Sequence, residues 1–180
     1  MDKIIASLIA AALVAGAFLF SRTARVTLRV NTQSTAPDEP DFVPPSGIKG
    51  LDNNNPFNLE FRTSIQWRGQ IGTDGRFVVF NTALNGLRAG MINVHTKFTR
   101  DGIKTIRGLI NVLSPAFENP TENFIAFVSG RLSVSPEQPL EFIQVIIPLS
   151  KAIVTFETGV PDGGFSDSLY REALRETGRV

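Results

Sequence analysis

The sequence predicts a mainly α-helical fold with a short β element, preceded by an N-terminal transmembrane helix. Three observations predict it. After about residue 47, apolar residues recur at spacings of three and four, the mark of helix faces. Ile4–Phe20 is an apolar run whose one polar member is Ser7. Between the two lies a polar stretch, Asn31–Ser46, with four prolines and little to bury. The expected organisation is an anchor over 1–22, an extended, Pro-rich linker over 23–46 and a helical domain over 47–180.

A helix needs roughly 17–25 apolar residues to span hydrocarbon, and Ile4–Phe20 meets the short end of that range. A cleaved signal peptide is the rival reading. Ala15-Gly16-Ala17 has the small-x-small form of a cleavage site, and Lys3 supplies a positive n-region. The apolar run continues past that site to Phe20, which favours a retained, single-pass anchor with residues 4–20 in lipid. Arg22, Arg25 and Arg29 outweigh Lys3, so the C-terminal side is expected on the cytoplasmic face.

In the domain, Gly72-Thr73-Asp74-Gly75 reads as a turn leading into a short strand at Phe77–Phe80. Leu84, Leu87, Met91, Val94 and Phe98 form one helix face, with an N-cap at Asn81-Thr82 and a stop at Asp101-Gly102. A second helix starts near Thr105, carries Ile106, Leu109, Ile110 and Leu113, and ends at Ser114-Pro115. A third runs from Thr121 as N-cap through Phe124, Phe127 and Val128 to Gly130. Leu140, Ile143, Ile146 and Ile147 begin another, which Pro148 is expected to interrupt before it resumes to Phe156 and stops at Gly159. A short amphipathic helix over about Ser166–Glu176 groups Leu169, Tyr170, Ala173 and Leu174.

Composition narrows the chemistry. Among 180 residues, 18 basic and 17 acidic side chains give a net charge of +1, so no whole-chain field favours nucleic acid. The absence of cysteine excludes disulfides, thiolate metal sites and cysteine nucleophiles. A single histidine, His95, leaves neither a His-rich metal centre nor a Ser-His-Asp relay enough imidazoles. It reads as a half-buried structural residue. No metal and no cofactor is expected. What remains is carboxylate chemistry or none.

The segment Asp52-Asn53-Asn54-Asn55-Pro56-Phe57-Asn58-Leu59 stands apart. Three asparagines before a proline do not suit a helix interior. Asn side chains both donate and accept, so such a loop can read the hydroxyl and acetamido groups of a sugar. Trp67 follows within ten residues, and an indole face suits a pyranose ring. The other reading is a capped loop whose asparagines bond backbone.

These segments resemble a phage-associated domain family. GIKGLDNNNPFNLEFRTSIQWRGQIG, FVVFNTALNGLRAG, RDGIKTIRGLINVLSPAFENPTENFIAFVSGRLSVSPEQPL and AIVTFETG follow one another in the family's order over roughly Gly47–Gly159. The family is marked by an Asn-Asn-Pro-Gly-Asn segment, a Trp-x-Gly, a Phe-x-x-Phe before a Gly-x-Arg-Ala helix, and a Glu-Asn-x-Thr turn. Here Asn54, Asn55, Pro56 and Asn58 match the first and Trp67 with Gly69 the second. Glu118-Asn119 with Thr121 matches the turn, and Glu157 with Gly159 an acidic position near the last helix. Phe57 replaces the motif's glycine, and Phe156 and Thr158 replace polar residues around the final glutamate.

The resemblance implies a lysozyme-like domain of a phage virion protein, of the kind carried by membrane-containing tailless phages. The implied activity is that of a lytic transglycosylase opening peptidoglycan during genome entry. The implied partners are peptidoglycan glycan strands and capsid or other virion membrane proteins. The implied location is the virion membrane, by way of the host inner membrane. Such an enzyme needs one protonated glutamate, and a carboxyl against apolar surface suits that role. Glu118 follows Phe117 and Glu157 follows Phe156, so both are candidate acids, with Asn54, Asn55, Asn58 and Trp67 as candidate substrate-binding residues. The enzyme reading asks that one of these glutamates face a cleft with Asn55 and Trp67. The alternative is a catalytically inactive structural protein linking viral membrane and capsid.

Overall fold

A computed structural model describes residues 46–114 and 121–179. The expected anchor over 4–20, nearly all of the linker, and Glu118 with Asn119 lie outside the described residues. Among the described residues, no helix is long and apolar enough to cross a membrane.

The described chain is mainly helical with one two-stranded sheet. A single turn, α1 (Lys49–Asp52), leads through the asparagine loop to β1 (Gln70–Thr73) and β2 (Val78–Phe80). Then come α2 (Ala83–Thr99), α3 (Ile106–Leu113), α4 (Thr121–Leu132) and α5 (Phe142–Thr158), a 3-10 turn (Pro161–Gly164) and α6 (Asp167–Glu176). The strands are antiparallel, pairing Gln70 with Phe80 and Thr73 with Val78, with an irregularity between Gln70 and Gly72. The Gly72–Gly75 turn expected from sequence is thus partly strand, and the reversal sits at Asp74–Phe77. Asp74 Oδ1 accepts the N–H groups of Phe77 (2.7 Å) and Arg76 (3.0 Å). Those two donors, with the Asn53 amide, hold its carboxyl down to about 2.

Three helices start where their capping residues predict. The hydroxyls of Thr82, Thr105 and Ser166 accept from the N–H groups of Asn85, Gly108 and Leu169, each meeting one otherwise unpaired donor of a first turn. Thr121 behaves differently. It is the first residue of α4 rather than its cap, and its hydroxyl donates to the Ser114 carbonyl at 3.0 Å. Nor does α4 stop at Gly130: it runs to Leu132, and Ser133 with φ 55° ends it.

Pro148 does not interrupt α5, which is continuous from Phe142 to Thr158. The carbonyl that loses its donor belongs to Gln144, and both Pro148 and Gln144 are exposed, so water can satisfy that carbonyl. Gly159 closes the helix with φ 70°, a left-handed cap that glycine adopts without steric cost.

The core is built from the predicted faces. Leu87, Met91, Val94 and Phe98 of α2, Ile106, Leu109 and Ile110 of α3, and Phe124 and Val128 of α4 are buried. They meet Ile146, Leu149 and Ile153 of α5 and Tyr170 of α6. Ile143 is an exception at 60% exposure: it lies in the first turn of α5 and points outward. Helix α2 packs chiefly on α6, and α5 on α4 and the 3-10 turn.

Two core members, Phe57 and Leu59, come from the asparagine loop. Phe57, 8% exposed, lies over Gly90 of α2, where an added Cβ would come within 2.1 Å of the ring. Phe57→Ala is expected to destabilise the domain by about 3–5 kcal/mol, the usual cost of emptying a phenylalanine site. Urea denaturation followed by circular dichroism measures it.

Candidate functional site

The asparagine loop is folded by its own side chains. Asn55 is fully buried. Its Nδ2 donates to the carbonyls of Leu59 and Val78, both at 2.9 Å, and its Oδ1 accepts the Leu59 N–H. Asn54, at φ 50°, donates from Nδ2 to the Phe80 carbonyl at 3.1 Å. Asn53 donates to Asp74 Oδ2 at 2.8 Å. The first three asparagines therefore fasten the loop to the β-hairpin: Asn54 and Asn55 through backbone, the alternative left open by the sequence, and Asn53 through a carboxylate. Asparagine suits these places because its short amide offers donor and acceptor and tolerates positive φ.

Asn58 is turned to another task. It too has positive φ, 48°, and its N–H donates to the Asn55 carbonyl at 2.9 Å. Its side chain leaves the hairpin and donates from Nδ2 to Glu157 Oε2 at 2.7 Å, across 99 positions of sequence. Gly50 of α1 makes room: a Cβ there would stand 2.8 Å from Asn58 Oδ1. The Asn58 amide is thereby placed between α1 and the end of α5.

Glu157 is half-buried in the last turn of α5. Burial pushes its carboxyl above the ordinary glutamate range, and the hydrogen bond from Asn58 opposes that shift. A helix C-terminus carries negative partial charge and also disfavours a carboxylate. The preceding residue, Phe156, stacks on Phe124 with ring centroids 3.9 Å apart. That stack turns the Phe156 ring onto α4, while the Glu157 carboxyl meets the Asn58 amide. A carboxyl so placed can carry a proton at a pH where an open one would not.

Trp67 is half-buried against the core, and its backbone N–H donates to Gln70 Oε1 at 3.2 Å. Gly69, φ 78°, seats this corner at the start of α2 beside Asn81 and Asn85. No hydrogen bond or ring contact among the described residues joins Trp67 to Asn58 or Glu157. The structure thus joins two of the expected site residues, Asn58 and Glu157. Asn55 stands inside the protein behind them, and Glu118 lies outside the described residues.

His95 is half-buried, with its ring edge-on to Phe142 at 4.9 Å, and burial pushes its pKa down. An open depression of about 290 Å³, lined by Phe98, Thr99, Lys104, Leu140, Glu141 and Phe142, lies at the other end of α5 from Glu157. No group of three His, Asp or Glu side chains that could hold a metal ion occurs among the described residues.

Sequence reasoning did not find the glycines that position the loop. Gly86 and Gly90 of α2 lie under Asn54 and Phe57, and Gly50 lies under Asn58. The available signal was two glycines four apart on one face of a predicted helix, a pattern that lets another backbone approach closely.

No family model matches the chain. The chain is similar to Protein P5 of Pseudoalteromonas phage PM2, at 35% identity over 96 residues. The aligned stretch covers 51% of this chain and 60% of that protein, so the chain spans less than two thirds of the relative's length. The similarity relates this chain to a protein of a phage.

Proposed function

We propose that the chain is a phage virion protein whose helical domain cleaves peptidoglycan as a lytic transglycosylase, with Glu157 as its single general acid. The observation that carries this reading is the Glu157–Asn58 pair, a half-buried carboxyl of raised proton affinity hydrogen-bonded at 2.7 Å by the asparagine loop. The relationship to a phage protein supports the virion setting. In the reaction, protonated Glu157 gives its proton to the glycosidic oxygen as the bond to the sugar carbon breaks. The substrate's own hydroxyl then attacks that carbon and closes an anhydro ring, returning its proton to the Glu157 carboxylate. One carboxyl serves as acid and then base, so the reaction needs neither thiol nor metal. Residues 4–20 hold the protein in the virion membrane, and the peptidoglycan strand is the partner of the domain.

A second reading is favoured by the loop itself. Asn54 and Asn55 bond backbone, and Phe57 is core, as expected of a domain kept for its shape. In that reading the protein is a minor structural link between viral membrane and capsid.

The two are separated by incubating the full chain with purified peptidoglycan and analysing the products by mass spectrometry. Muropeptides with anhydro ends support the transglycosylase. Reducing ends indicate a hydrolase instead, and intact sacculi after exposure to folded protein leave the structural reading.

A further inference from the structure

The hydrogen bond that identifies the site also works against the proposed chemistry. A general acid must hold a proton, yet an N–H donor directed at a carboxyl oxygen favours the ionised form. Among the described residues, burial and the Asn58 amide are the two influences on Glu157. Charged groups on neighbouring elements are engaged elsewhere. Asp52 of α1 accepts from Ser46 and Gly47, and Arg131 of α4 pairs with Asp162 of the 3-10 turn. Lys151 of α5 pairs with Asp162 and Asp167. Lys49 of α1 acts weakly on Asp74. The opposing influence on Glu157 is therefore a neutral amide, and a neutral amide can be drawn off by another acceptor.

Resting on the proposed function, we propose that the Asn58 amide restrains protonation of Glu157 in the free protein, and that a glycan acceptor which takes the Asn58 amide lifts that restraint and readies Glu157 as the acid. The acceptor is an acetamido carbonyl or hydroxyl oxygen of the sugar. As Nδ2 leaves Oε2 for that oxygen, the half-buried carboxyl, no longer hydrogen-bonded by the amide, takes up a proton from solvent. Burial, now unopposed, holds that proton until the glycosidic oxygen receives it. Asn58 is thus a positioning residue that acts through Glu157. Substrate thereby strengthens the acid's hold on its proton.

The geometry suits such a release. Asn58 sits on a left-handed backbone held by its own N–H, so its amide can change partners without unfolding the loop. Its Oδ1 faces the bare Cα of Gly50, which leaves Nδ2 as the end directed at Glu157.

The test is a carbon-detected NMR titration of the Glu157 carboxyl in the full chain, with tri-N-acetylchitotriose as probe. Asn58→Gly removes the amide while keeping the backbone free to adopt positive φ. It should raise the titration midpoint of Glu157 by about one pH unit, the scale of a lost hydrogen bond to a charged group. Gly50→Ala should shift it the same way by displacing the amide, and serves if the first variant does not fold. The saccharide should raise the midpoint in the wild type and leave Asn58→Gly unmoved. A midpoint unchanged or lowered in both variants overturns the inference and leaves Glu157 standing as the acid. Saccharide that perturbs Asn58 without moving the Glu157 midpoint overturns it likewise. Saccharide that perturbs neither residue overturns it together with the glycan-binding reading on which it rests.

Discussion

Gly86→Ala destabilises the domain by about 3 kcal/mol, the upper end of the usual cost of overpacking. On an open helix face the same substitution stabilises by about 1 kcal/mol, so here the sign reverses. A Cβ at residue 86 would stand 1.8 Å from the Asn54 carbonyl oxygen, 2.9 Å from its carbon and 3.1 Å from Pro56 Cδ. None of these atoms can yield easily. Asn54 is tied through its amide to Phe80, and the proline ring is rigid. Relief requires the loop to lift from α2, which drags Phe57 out of the core and Asn55 away from its backbone partners. Gly130 supplies the control. It is exposed near the end of α4, a Cβ there meets nothing within 4 Å, and Gly130→Ala is expected to stabilise by about 1 kcal/mol. Chemical denaturation of both variants checks the pair. Two changes of the same sign would show that the loop does not press on α2 as described.

On the proposed mechanism, Glu157→Gln is expected to abolish peptidoglycan cleavage while sparing the fold. General acid catalysis contributes about 10²–10⁴ in rate, and the amide cannot supply the proton. The glutamine oxygen can still accept from Asn58, so the architecture of the site persists. The pH dependence of stability gives an independent sign. Because burial raises the folded pKa of Glu157 above its unfolded value, the folded state binds more protons in the interval between those two values. Stability from this group is then full below the unfolded value and falls as pH rises through the folded one. Above that window the wild type carries a half-buried carboxylate, a cost that Glu157→Gln removes. The variant should therefore lose activity while matching or exceeding wild-type stability at neutral pH. Thermal melts at acid and neutral pH measure this, and a variant less stable at neutral pH contradicts the assigned shift. Cleavage by the wild type should decline as pH rises through the Glu157 midpoint, as the proton-bearing form is depleted.

What the sequence showed was what local rules govern. Thr82, Thr105 and Ser166 cap their helices because a hydroxyl three residues before an unpaired N–H is a short-range arrangement. The α2 face was legible because one period relates Leu87, Met91, Val94 and Phe98. Pro148 misled because its effect depends on whether the freed carbonyl meets water, which exposure alone decides. Strand β1 was missed because four residues, one of them Gly72, hold too little pattern. Ile143 was assigned inward because a helix's first turn extends beyond what its neighbours cover. At the site, Glu157 and Asn58 were each legible as candidates, but their pairing was not. Nor were the separate duties of Asn55 and Asn58, since adjacent residues of one type differ only in the direction the backbone gives them.

The distance along the chain between Asn58 and Glu157 has a consequence in time. The ribosome makes the loop early and the acid about a hundred residues later. In between, neither half has its partner, so a nascent or prematurely ended chain carries no assembled site. A protein that opens cell walls, made inside the cell it would injure, would gain from that order. Completion of synthesis and closure of the domain would then be a first checkpoint on its activity, with arrival of the glycan strand a second.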